Sequence, residues 1–352
     1  MERRQHYLTL DALRGVAAFA VMIYHQQQTR VMGHGYLAVD FFFILSGFVI
    51  AKAYERKLLT DMRFSHFALV RIARLYPLLI AATLLSTAYM VMSSVRRGED
   101  LEWLQLLPAA LLALPDPSGT FAPDPFPLLP VVWSLFFELF ANLLYAARPE
   151  WLSTRKLTIL VASNGLLLAF ALAHHGNGEV GNTYATLWAG VPRVLFSFLA
   201  GVLFFRLHAD GRLVSPAVSP LALAAVLLAV LAVPHDMPWL YDAICIFVIF
   251  PLVLIAAMNN EPAPRWKSVA RFSADVSYPL YLFHLPLILW LGFGLTHLGV
   301  SVPPQHLLQW IAVPALAYAA YIFFDRPVQV IWKARLVRMA PRAMPVSDAR
   351  AL

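Results

Sequence analysis

The sequence predicts an all-α fold: a polytopic membrane helical bundle of about ten transmembrane helices, with both termini cytoplasmic. Three observations carry that expectation. Of the 352 residues, 60% are hydrophobic and 13% charged, where a soluble domain has roughly 25% charged. The apolar residues gather in runs of near-spanning length between short polar breaks. In lipid such runs must be helices, because the backbone has to satisfy its own hydrogen bonds. The basic residues fall mostly in alternate loops, as the positive-inside rule requires. The formal net charge of +7 therefore reads as topology rather than nucleic-acid binding, since no basic stripe with interleaved aromatics is present.

The runs lie near residues 12–29, 36–53, 74–93, 131–147, 157–174, 185–205, 217–234, 239–258, 274–297 and 306–325. A further candidate, near 101–115, is short and leads into a proline-rich stretch from Pro115 to Pro130. If it spanned, Arg148, Arg155, Lys156, Arg206, Arg212, Arg265, Lys267 and Arg271 would all face outside. If it does not, they fall inside with Arg3, Arg4, Lys52, Arg56, Lys57 and the Arg326–Arg342 tail, which the charge bias favours. Segment 101–130 is then an outer loop, re-entrant or lying on the surface. The first run follows Arg3 and Arg4 like a signal peptide, but Arg14 and His25 inside it argue for a retained anchor. Residues 1–335 are expected to form one integral membrane domain, and 336–352 a short basic cytoplasmic tail. The single cysteine, Cys245, excludes an intramolecular disulfide and reads as a small core residue.

Ionisable residues inside a span are functional candidates, because their burial is costly. Arg14 and His25 are eleven positions apart, which returns them to nearly one helix face with roughly 16 Å of rise between them. Arg14 falls near the cytoplasmic boundary, where snorkelling alone would explain it. His25 falls toward the outer leaflet, where on its own it would read as a hydrogen-bonded core histidine. Arg71 and Arg74, three apart, share a face. Beside Arg14 they form a cationic mouth suited to a polyanion. Trp133 is expected at the outer interface, with Glu138 over a turn deeper among aromatics. Asp40 lies near the outer end of the second run, and Ser46-Gly47 would let another helix pack closely. Tyr278, Tyr281 and His284 fall near the bilayer middle, and Asp242 near the outer boundary, facing water. His25, Asp40 and Glu138 thus belong to the outer half and the arginines to the inner edge. That polarity suggests a ligand entering from the cytoplasm and reacting toward the far side.

Five segments carry a resemblance: LDALRGVAAFAVMIYH (Leu10–His25), VDFFFILSGFVI (Val39–Ile50), RIARLYP (Arg71–Pro77), WSLFFE (Trp133–Glu138) and SYPLYLFHLP (Ser277–Pro286). In this order they resemble the membrane-bound acyltransferase-3 family, and Phe324-Asp325-Arg326-Pro327 fits a family ending. The resemblance implies a bacterial inner-membrane, multi-pass O-acyltransferase. It implies transfer of an acetyl or other short acyl group from acyl-CoA to a carbohydrate, a lipid-linked glycan or a small natural product. It makes Arg14, His25, Arg71, Arg74 and Glu138 the essential residues and His284 a recurrent position. Two departures stand out. Leu139 replaces a second acidic residue common in relatives, which weakens any relay through adjacent carboxylates. The chain also ends soon after its tenth run, without the hydrolase-like domain many relatives carry, so transfer should finish within the membrane domain.

The mechanism expected from these residues has Arg14, Arg71 and Arg74 binding the donor's phosphates. His25 acts as general base on the acceptor hydroxyl, with Glu138 or Asp40 orienting its imidazole. His284, Tyr281, Trp133 and Ser46 shape the site. A covalent acyl-histidine intermediate is a variant left open. No metal is expected, since no ligand cluster has suitable spacing. His6 and Asp11 match an H-x4-D acyltransferase spacing, but at the edge of a membrane span and not in a soluble catalytic fold. A b-type cytochrome ligated by histidines is disfavoured because His25 and His284 are estimated at different depths. The main alternative is a transporter or flippase using buried charges without thioester chemistry.

Overall fold

The computed structural model describes residues 7–26, 31–121, 124–234 and 236–339. His6 and most of the basic tail lie outside the described residues. The architecture is helical, with no β-strand among the described residues. In chain order the helices are α1 (Leu8–Tyr24), α2 (Ala38–Thr60), α3 (Phe64–Arg97), α4 (Leu107–Leu111), α5 (Val132–Ala147), α6 (Thr154–His175), α7 (Leu187–Ala209), α8 (Pro220–Leu231), α9 (Trp239–Ile244), α10 (Phe250–Ala257), α11 (Lys267–His297), α12 (Val302–Ala320) and α13 (Arg326–Met339).

Each of the ten apolar runs falls on a helical rod, but the rods differ in length. Among the described residues, seven are long and apolar enough to cross a membrane. α1, α5 and α8 have 17, 16 and 12 residues. At 1.5 Å per residue these fall short of a roughly 30 Å hydrocarbon core. Segment 101–115 forms no spanning helix. It breaks into a 3-10 turn (Glu102–Leu106) and α4, and the Leu112 carbonyl accepts a hydrogen bond from Tyr76 of α3 at 2.9 Å. Tyr76 lies roughly 18 Å along α3 from its start, so this segment folds back beside α3.

Two rods carry π turns, at Cys245–Ile249 between α9 and α10 and at Tyr321–Asp325 between α12 and α13. The cause is local. Pro251 and Pro327 each sit two residues past a π turn. A proline ring lacks the N–H and crowds the carbonyl four residues back, here Phe247 and Phe323. Widening the turn relieves that crowding.

The bundle is organised by close parallel contacts. A Cβ on Gly15 would lie 2.3 Å from the Ser273 carbonyl oxygen, so α1 and α11 nearly touch there, and Ser273 donates to the Ala12 carbonyl at 2.8 Å. A Cβ on Gly47 would lie 1.9 Å from the Phe198 carbonyl oxygen, and one on Gly201 2.0 Å from that of Ile44. Small residues thus bring α2 and α7 into close contact, as they do in lipid generally. Contacts from Asp40–Arg193 to Glu55–Arg206 show that α2 and α7 run in the same direction. Tyr278–Leu75 and Trp290–Leu85 make α3 parallel to α11. Ser134–Tyr281 at one level and Glu138, Arg71, Arg74 and Tyr278 at the next make α5 antiparallel to α11.

Candidate functional site

The floor of the site is an arginine cavity. A space of about 160 Å³ opens between α1, α2, α3, α5 and α11, and Arg14, Arg71, Arg74 and Glu138 line it. Arg71 and Arg74 both reach it because residues three apart share a helix face. Each guanidinium already holds an acidic partner. Arg14 lies 3.2 Å from Asp11 and donates to Ser277 Oγ at 3.0 Å. Arg71 lies 3.3 Å from Glu138, whose Oε1 also accepts from Ser46 Oγ at 2.7 Å. Arg74 lies 3.0 Å from the fully buried carboxylate of Asp325, which the π turn presents. Gln329 holds that carboxylate from the other side at 3.2 Å and donates to the Ala73 and Arg74 carbonyls. Arg74 is therefore aimed by the π turn and α13 as well as by α3.

A histidine pair stands beyond the cavity. His25 caps the C-terminal end of α1 and His284 lies in α11, with ring centroids 4.8 Å apart. His284 Nδ1 is 3.1 Å from the Leu280 carbonyl, an acceptor only, so Nδ1 carries that ring's proton. His25 Nδ1 is 2.9 Å from the Val21 carbonyl and 3.2 Å from His284 Nε2. By the same reasoning His25 is protonated on Nδ1, and its proton is shared between the two acceptors. That tautomer leaves Nε2 of His25 with a free lone pair. The polar side chain between cavity and histidines is Tyr281. It lines the cavity, its hydroxyl pairs with Ser134 Oγ and donates to the Val131 carbonyl, and its ring centroid is 6.0 Å from that of His284.

Several sequence expectations need correction. Glu138 was expected in the outer half with His25. It bonds Arg71 and Ser46 instead, because α5 is only 16 residues long and six positions past its start already reach the arginine level. Asp40 was the alternative to Glu138 for orienting His25. Both its oxygens accept from Arg193, at 3.0 and 2.6 Å, and both residues are 1% exposed. His25 and His284, expected at different depths, are in contact, since parallel packing of α1 and α11 keeps their levels matched. Trp133 is half-buried: it lies under the Arg193 guanidinium, 5.3 Å from ring centroid to charge, and packs on Phe43 and Phe137. Asp242 is buried, not water-facing. It accepts from Tyr36 at 2.9 Å and from the Gly178 amide at 2.6 Å, with His34 3.4 Å away. Ser46 and Gly47 divide the expected work: Gly47 admits α7 while Ser46 holds Glu138.

Arg193 and Asp325 were missed as site-building residues, although both fall inside apolar runs and the rule that singled out Arg14 applies to them equally. Asp325 entered only as part of a terminal motif. Tyr24 and Glu179 were also missed. The Tyr24 ring meets His25 edge-on with centroids 5.1 Å apart, and its hydroxyl donates to Glu179 on the α6–α7 loop. No signal in a single sequence ties a loop glutamate to a tyrosine 155 positions away. Among the described residues, no group of three or more His, Cys, Asp or Glu side chains could hold a metal ion.

Comparison with known proteins decides what kind of molecule carries this site. The family model described as "Acyltransferase domain" (acyltransferase-3) matches residues 7–324, nearly the whole chain. The chain belongs to the acyltransferase-3 family. It is 25% identical over 334 residues to the exopolysaccharide production protein ExoZ of Rhizobium meliloti (strain 1021), covering 90% of this chain and 97% of ExoZ. It is 34% identical over 183 residues to protein 2 in the picA locus of Rhizobium radiobacter, covering 48% of this chain and 96% of that protein. A Staphylococcus aureus (strain COL) protein named "Putative O-acetyltransferase" is 25% identical over 321 residues, 79% of this chain and 50% of that protein. No solved structure matches. As an acyltransferase-3 member with seven span-length apolar helices, the chain is a multi-pass membrane O-acyltransferase. Acyltransferase-3 membership also displaces the transporter and cytochrome alternatives.

Proposed function

We propose that the protein transfers an acyl group, acetyl in the simplest case, from cytoplasmic acyl-CoA to a hydroxyl of a carbohydrate at or across the bacterial inner membrane. An exopolysaccharide or lipid-linked glycan is the acceptor class suggested by ExoZ. The observation that carries this reading is the arrangement of three guanidiniums at one end of a cavity whose wall, at Tyr281, adjoins the His25–His284 pair. Ten spans with cytoplasmic termini are part of the reading. They put the arginines on the side where acyl-CoA is made, and the alternating directions of α1, α2, α3, α5, α7 and α11 agree with them.

Arg14, Arg71 and Arg74 bind donor phosphates through planar, multi-donor contacts. The pantetheine arm follows the cavity toward Tyr281, bringing the thioester to the histidines. His25 Nε2 takes the proton of the acceptor hydroxyl as its oxygen attacks the thioester carbonyl. The C–S bond breaks, the acyl group passes to the new ester, and the departing CoA thiolate takes the proton from His25. His284 fixes the His25 tautomer and shares its remaining proton. Glu138 aims Arg71 and, through Ser46, ties it to α2. The test uses the purified protein in nanodiscs with acetyl-CoA and a lipid-linked glycan. Acceptor-dependent release of free CoA, with a matching acetyl mass on the glycan, supports the proposal. Glycan movement across the bilayer without CoA release would sink it.

A further inference from the structure

A second, larger space opens on the donor side of the arginine cavity. This vestibule of about 710 Å³ lies between α1, α3, α11 and α13. Arg14 and Arg74 line both spaces, so they form a neck between vestibule and inner cavity. Its outer wall adds Arg271 from α11 and Arg326 and Lys333 from α13. The charges of neck and wall differ in one respect. Arg14 and Arg74 are matched by Asp11 and Asp325. Arg271, Arg326 and Lys333 make no ion pair among the described residues. Asp275 lies on the same wall, so the space sets five cations against the carboxylates of Asp11, Asp275 and Asp325, and the positive excess favours a mobile polyanion. Tyr321, on the same wall, supplies an aromatic surface of the kind on which bases stack.

Resting on the acyl-CoA reading above, we infer that this vestibule holds the phosphorylated adenosine end of the donor. Arg271, Arg326 and Lys333 bind the ribose 3′-phosphate, and Arg14 and Arg74 hold the diphosphate at the neck. The donor then threads inward, with its nucleotide outside the neck and its thioester inside. Nothing in the inner cavity needs the 3′-phosphate, so this site sets donor selectivity separately from chemistry. An anionic lipid headgroup presents the same phosphate chemistry and is the competing source.

The experiment measures binding of CoA and of dephospho-CoA, which lacks only the 3′-phosphate, to the full chain in zwitterionic-lipid nanodiscs. The wild-type protein should bind CoA roughly tenfold or more tightly, as charge-assisted hydrogen bonds to one phosphate imply. The combined Arg271→Gln, Arg326→Gln, Lys333→Gln variant should bind both equally, near the wild-type affinity for dephospho-CoA. Equal wild-type affinities overturn the inference while leaving the donor reading intact, and need no variant to fold. No wild-type binding of either compound overturns the donor reading itself. If the triple variant keeps the CoA preference but loses bound phosphatidylglycerol by native mass spectrometry, the vestibule is a lipid site and the inference fails.

Discussion

His284 Nε2 lies 3.2 Å from His25 Nδ1, and the Nδ1 of each ring faces the carbonyl one turn earlier in its own helix. The pair is a positioned imidazole with its supporting acceptor, built from two parallel helices. His25→Ala should lower transfer by about 10²–10⁴-fold, the usual worth of a positioned general base, while leaving CoA binding within twofold. His25→Gln should not rescue, because an amide cannot take the proton. His284→Gln should retain more activity than His284→Ala, since its amide oxygen can still accept from His25 Nδ1–H. Turnover and donor affinity measured on the same purified variants decide this. Near-normal turnover for His25→Gln would leave His25 a core histidine.

Arg74 and Asp325 test whether an arginine can be separated from its structural partner. Arg74→Ala should weaken acyl-CoA binding and also leave Asp325 buried without its cation, which costs roughly 1–3 kcal/mol. Adding Asp325→Asn should recover most of the thermal stability and none of the affinity. If stability and affinity recover together, Arg74 holds α13 in place and does not meet the donor.

Asp40 and Arg193 are expected to be structural. Removing Arg193 alone strands a buried carboxylate and should destabilise by about 3–5 kcal/mol. Replacing both, as Asp40→Leu with Arg193→Met, should cost far less, because no charge is left unpaired. The double variant should keep most of its turnover. A stable double variant without activity would restore Asp40 to the catalytic set.

Topology can be read with single cysteines in a Cys245→Ala background. A cysteine at position 155 should react only after the membrane is permeabilised, and one at position 97 should react in intact cells. Labelling of position 155 from outside would reverse the loop assignments on which the proposed donor path rests.

Helices, their order and the identity of the charged residues inside them were legible in the sequence. The reason is energetic: an apolar run long enough to span must be helical, and an ionisable group within it needs a cause. Arg14 was found on that ground and Arg71 and Arg74 by their shared helix face at the opening of the third run, and the three do line one cavity. Partners were not legible. Asp40 meets Arg193 and not His25 because Gly47 and Gly201 let α2 and α7 close on each other. Glu138 meets Arg71 because α5 is short, and His25 meets His284 because Gly15 and Ser273 set α1 beside α11 at matching height. Periodicity gives the face a residue occupies on its own helix. Which neighbour that face meets, and at what depth, is fixed by rotation and sliding between helices, and those follow from packing between segments up to 284 residues apart.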